Sequence, residues 1–231
     1  MGIEATASRP VYLAQAPRAE LKSRPIMSEE RKKDALRLLN GRHKYKHGTE
    51  MLQALKTLGE LKDRSTVDAI RRLLRNEGLN GCHDEGLLGA AVEALSSIRG
   101  KEAVNVLRGL FEGKKSSSDL SSEIISAMGK CVGTNGGTKA KEYIFSVISA
   151  GTTSRSPLID TMAKITAVRA CAVFGGEDTK SILLGALSYS NSEIRAEIIN
   201  ALAKIYPATD PETLKTVERF FRGVPLRSPK G

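Results

Sequence analysis

A chain of 231 residues with 40% hydrophobic content is long enough to bury one substantial core. It has no tryptophan and only 4% aromatic residues, which disfavours any function that stacks bases or sugars on aromatic platforms. The net charge of +10 asks for an anionic partner until it is mapped, and the map places it at the ends. Residues 1–47 hold eleven Lys/Arg against five Asp/Glu, residues 48–211 twenty against nineteen, and residues 212–231 five against two. A nearly neutral body is not expected to form a long groove that tracks a phosphate backbone.

No apolar run approaches the roughly 18 residues of a membrane span, and residues 1–27 lack the apolar segment of a secretory signal. A soluble, cytoplasmic protein is the expectation, and three cysteines without metal spacing fit a reducing compartment.

In chain order, residues 1–27, with Arg9-Pro10, Ala16-Pro17 and Arg24-Pro25, read as a disordered basic tail. Ser28 is a predicted N-cap, with Glu29 and Glu30 in the first turn and a helix end at Asn40-Gly41. Because Asp34-Ala35-Leu36-Arg37 matches Asp68-Ala69-Ile70-Arg71 further on, this is predicted to be an unpaired N-terminal capping helix.

Five copies of one helical pattern follow, centred on Ala54, Ala94, Ala127, Ala170 and Ala201 at intervals of 40, 33, 43 and 31 residues. In the last copy the stripe is Ile194, Ile198, Ala201, Leu202 and Ile205; in the first it is His47, Met51, Ala54, Leu55 and Leu58. His47 is the one polar member of the twenty-five positions. Each copy leads through a short turn into a partner helix, with Val67, Ile70, Leu73 and Leu74 in the first and Leu214, Val217, Phe220 and Phe221 in the fifth at identical offsets. Glycines at Gly133, Gly136, Gly137, Gly175 and Gly176 mark the third and fourth turns, and strand signals are negligible. The predicted fold is all-α: a right-handed α-solenoid of about five helix pairs over residues 28–222, with a second disordered basic tail at 223–231.

The stretch from Asn191 to Ile205 resembles the first helix of a HEAT repeat, of the short variety found in phycobilisome lyase-type proteins. Gly175-Gly176-Glu177-Asp178 and Ile182-Leu183-Leu184 are similar to that family's turn and second helix. The resemblance spans residues 48–222 and is one of architecture, so it implies a fold rather than an activity. The family's turn Asp is matched by Asp63, Asp178 and Asp210 and its first-helix Arg by Arg195, so a continuous Asp–Arg ladder is not expected. The middle repeats must then cohere by apolar contact.

No catalytic constellation can be assembled, so a non-enzymatic protein without cofactor or metal is the expectation. His43 and His47 are spaced for one helix face but sit among lysines, and Cys82-His83-Asp84-Glu85 offers neighbours that cannot all face one ion. The iron-binding His-Glu pairs of HEAT-repeat hydroxylases and the tryptophans of HEAT-like glycosylases have no counterparts, and Gly133 to Lys139 lacks the ending of a phosphate loop.

Two candidate surfaces remain. The partner helices carry Arg71, Arg72, Arg75, Arg108, Lys141, Lys180, Arg219 and Arg222, interrupted by Asp68, Glu112, Glu142 and Glu218. The inter-repeat loops carry Arg42, Lys44, Lys46, Lys114, Lys115 and Arg155, an alternative ridge for a phosphate or acidic peptide. The expected role is a protein–protein scaffold or adaptor whose partner presents an acidic or mixed-charge surface. Its alternative is nucleic-acid association through the basic ends and partner helices, and a HEAT-type enzyme or lyase subunit is third.

Overall fold

The computed structural model describes residues 20–40, 48–79, 85–113, 118–150, 161–188 and 191–206, together with residues 211, 214, 215, 217 and 218. Among the described residues the protein is all helix: ten α-helices and one 3-10 turn, with no strand. The alanine-centred segments are α2 (Gly48–Leu61), α4 (Glu85–Ile98), α6 (Ser118–Cys131), α8 (Thr161–Phe174) and α10 (Ser192–Ile205). Their partners are α3 (Val67–Leu79), α5 (Lys101–Glu112), α7 (Gly137–Ser149) and α9 (Glu177–Ala186), and α1 (Glu20–Asn40) precedes them all. The fifth partner is helical at each described residue between 211 and 218.

The helical period of the sequence becomes one buried stripe per helix. Ala54, Leu55 and Leu58 on α2, Leu87 to Ile98 on α4, Leu120 to Cys131 on α6 and Ile194 to Leu202 on α10 are buried at their stripe positions. Met51, Ala170, Phe174 and Ile205 pack at the margins, and His47 lies outside the described residues. α2 packs on α4, α4 on α6, α6 on α8 and α8 on α10, while α3, α5, α7 and α9 follow one another in the same order. The buried side chains join into one apolar core from Ala35 to Leu202.

Small residues at the stripe centres set how closely the helices approach. A Cβ on Gly59 of α2 would stand 3.1 Å from Ala94 Cα, and one on Gly129 of α6 would stand 3.1 Å from Ala170 Cβ. Larger side chains there would force the helices apart.

The N-terminal helix departs from expectation. α1 begins at Glu20 rather than after Ser28, so residues 20–27 are helical instead of tail and Ser28 is interior, not an N-cap. Pro25 removes one ladder hydrogen bond in the second turn of α1, and Glu20, Leu21 and Lys22 are good helix formers. The end at Asn40 agrees with the sequence reading. Ala35 and Leu39 are buried, and α1 packs against both α2 and α3.

The turns within helix pairs stack on one another. Asp63 accepts the Ser65 amide at 2.9 Å and caps the 3-10 turn Arg64–Thr66 before α3. Gly100 and Gly136 open α5 and α7 at φ +99° and +125°. A Cβ on Gly100 would lie 3.3 Å from Arg64 Nε and 3.6 Å from the Asn135 carbonyl, and one on Gly136 only 2.6 Å from the Lys101 nitrogen. The first three turns therefore form one continuous edge.

Cys131 and Cys171 are free and buried in the core, and burial pushes both thiols up, that of Cys171 to about 12. A thiol whose folded pKa exceeds its unfolded value contributes stability fully at neutral pH and loses it as pH climbs toward the folded value. Both cysteines are expected to resist iodoacetamide in the folded protein at pH 8 and to react after denaturation, with thermal stability falling above about pH 9. Rapid labelling of either residue in the native state, read by mass spectrometry, would contradict this packing.

Candidate binding surfaces

Of the six foreseen partner-helix cations that are described, four are engaged within the protein. Arg71 bonds Asp68 at 2.7 Å one turn earlier on α3. Arg108 bonds Glu112 at 2.8 Å and stands 5.4 Å over the Tyr143 ring, which meets Phe111 edge-on at a centroid distance of 5.8 Å. Burial and the Glu112 carboxylate push the Tyr143 hydroxyl up to about 12. Lys141 bonds Asp178 of α9 at 3.3 Å and lies over the rings of Phe145 and Phe174.

Lys180 overturns its expected role outright. It is buried, at 7% exposure, with its amine 5.2 Å over the Tyr206 ring, so it cannot contact a partner. Tyr206 is held there by its hydroxyl, which donates to the Gly176 carbonyl at 2.7 Å. Burial of a lysine stem along apolar surface with its head on an aromatic face limits the desolvation cost.

A register explains these lysines. Lys32, Val67, Val104, Lys141 and Lys180 each stand three residues before a buried core residue of their helix: Ala35, Ile70, Leu107, Ile144 and Leu183. Lys32 and Lys141 stand where the following turn carries an aspartate, Asp63 or Asp178, and valine stands where the following turn, Arg99-Gly100-Lys101 or Gly133 to Gly137, has no carboxylate. Lys32 pairs with Asp63 and Lys141 with Asp178, so one clasp ties α1 to the first helix pair and the other ties the third pair to the fourth. Lys32 and the Ser65 amide together hold the Asp63 carboxyl below the usual carboxylate range. Asp210 follows Tyr206 at the interval by which Asp178 follows Phe174, but lies outside the described residues. The Lys–Asp clasp is thus made at α1 and α7, while buried Val67 and Val104 take the equivalent places on α3 and α5.

Arg72 and Arg75 remain. Both are exposed on α3 and, among the described residues, neither forms an ion pair. Arg219 and Arg222, like the ridge residues Arg42, Lys44, Lys46, Lys114, Lys115 and Arg155, lie outside the described residues.

The sequence reading missed another set of cations. Lys62, Arg64, Arg99, Lys101, Lys130 and Lys139 flank the stacked turns and are exposed, and none forms an ion pair among the described residues. Arg64 lies against Gly100, and Arg99 and Lys130 are near enough to the Cys131 thiol to act on it electrostatically. The one signal available was basic residues recurring at the ends of the alanine-centred helices, and it reads as ordinary helix C-terminal charge.

Among the described residues no group of three or more His, Cys, Asp or Glu side chains could hold a metal ion. No described helix is long and apolar enough to cross a membrane. No family model matches the chain, and no curated protein matches it.

Proposed function

We propose that this protein is a non-catalytic interaction scaffold: a right-handed solenoid of HEAT-like helix pairs that binds another cytoplasmic protein through its partner-helix layer. The observation that carries the reading is the packing order. The principal contacts of each helix are with elements next to it or one further along, the arrangement by which repeat proteins present corresponding positions of successive units on one extended surface. Within that layer Arg72 and Arg75, exposed and without an ion pair among the described residues, are the anchors, since arginine is enriched at interfaces and its guanidinium grips carboxylates bidentately. A partner with an acidic or mixed-charge surface fits them.

The test compares proteins captured from native cells by the wild-type chain and by the R72E/R75E variant. Because both positions are exposed, helicity should be unchanged and stability altered by no more than about 0.5 kcal/mol. A partner bound directly by the purified wild-type protein should be lost or weakened at least tenfold in the variant. Undiminished binding of every direct partner would remove the partner-helix surface as the site.

A further inference from the structure

The stacked-turn edge has a backbone peculiarity that stability does not explain. Lys62 and Arg99 follow the ends of α2 and α4 at φ +53° and +59°, the left-handed region where glycine is at ease. Gly133 and Gly175 take that conformation after α6 and α8 at φ +89° and +56°. A side chain there costs about 1–2 kcal/mol, whereas a cation near a helix C-terminus recovers only about 0.3–1 kcal/mol at an exposed site. Two long cations therefore occupy positions where glycine would suit the fold better, and left-handed outliers of this kind point to function.

We propose that this edge is a docking surface for the phosphate backbone of a nucleic-acid duplex. The proposal rests on the turns rather than on Arg72 and Arg75 and does not depend on the scaffold reading. Lys62 and Arg64 flank the first turn, Arg99 and Lys101 the second, and Lys130 and Lys139 the third. Direct packing of Arg64 on Gly100, and of Gly136 on Lys101, makes the three turns one continuous strip. Asp63 lies within it but is neutralised by Lys32. At helix spacings of about 8–10 Å the strip spans about 20 Å, more than half of the roughly 34 Å turn of a duplex. It ends where the fourth turn becomes acidic, at Glu177 and Asp178.

The chemistry of the strip selects among polyanions. It is rich in lysine and has no aromatic residue among its six cations or in the turns between them. Protein interfaces are depleted in lysine, and four of the six strip cations are lysines, so an acidic protein segment fits less well than a polyanion backbone. Single strands need stacking platforms, which the strip also lacks. A duplex backbone needs only spaced cations and is bound without sequence preference.

The test uses the full chain and a DNA duplex of about 30 base pairs of arbitrary sequence, titrated at salt concentrations from about 50 to 200 mM. Wild type should bind at low salt with a linear dependence of log K on log salt. In K62G/R99G the slope should shrink by about 2, because each phosphate that a cation neutralises adds about 0.9 to it, while melting temperature stays level or rises because strain is relieved. K101Q/K130Q, which leaves the left-handed positions untouched, should reduce the slope by a similar amount. An unchanged slope in both variants would place any duplex binding on the basic chain ends and overturn the proposal. Absence of duplex binding at 50 mM salt would do the same, as would loss of polyglutamate binding in both variants with duplex binding intact.

Discussion

Gly136→Ala should destabilise the protein by about 3–5 kcal/mol, enough to remove much of the stability of an ordinary domain. Two effects add. At φ +125° a side chain is strained by about 1–3 kcal/mol, and the new Cβ would stand 2.6 Å from the Lys101 nitrogen, 2.7 Å from its Cα and 2.8 Å from the Gly100 carbonyl carbon. Those are backbone atoms, which cannot swing aside as a side-chain tip can, so α5 and α7 would have to separate at their N-termini. Gly133→Ala is the control, because Gly133 has φ +89° but nothing within 4 Å of its Cβ direction. It should cost only the strain of about 1–2 kcal/mol. Equal losses in the two variants, measured by denaturant titration, would show that the turns do not touch as described.

The helices were legible because apolar periodicity is written residue by residue. The run from Ile194 to Ile205 can be recognised without knowing what it packs against, and all five alanine-centred segments are helices. The stacking of Gly136 on Lys101 was not legible, since a glycine needed for its own positive φ and one needed for a neighbour's approach look alike in sequence. Lys180 was misjudged for a related reason. Charge suggests exposure, and only alignment of the partner helices on Ile70, Leu107, Ile144 and Leu183 shows that Lys180 occupies the place of Val67 and Val104. Lys62 and Arg99 carry no sequence mark of a left-handed conformation, because neither residue type favours it.

This placement also changes what the charge can do. Arg71, Arg108 and Lys141 have carboxylate partners and Lys180 lies on Tyr206, so the partner-helix layer exposes fewer available cations than its sequence suggests. The turn edge exposes more. Salt will weaken any exposed pair such as Arg31–Glu60 or Arg169–Glu197, each at 3.1 Å, but such pairs contribute only about 0–1 kcal/mol, and the core is held mainly by apolar side chains. Ionic strength should therefore act far more strongly on binding at the turn edge than on folding.

Ala94→Arg should be severely damaging, costing at least about 4 kcal/mol. Ala94 is 2% exposed, and Gly59 of the neighbouring helix offers it no side chain to displace, only backbone at van der Waals distance. An arginine there would have to part α2 from α4 while burying a guanidinium among Leu55, Leu58, Leu95 and Ile98, none of which offers an acceptor side chain. Ala170→Arg, at the equivalent position of α8, should cost less, because Ala170 is half-buried and a long side chain can carry its charge to solvent. Ala196→Arg on the exposed face of α10 should change stability by no more than about 0.5 kcal/mol. That order, Ala94 above Ala170 above Ala196, tests packing rather than arginine itself, since all three replacements add the same charge to a helix. If chemical denaturation ranked Ala196→Arg with Ala94→Arg, the stripe would not be the face on which these helices meet.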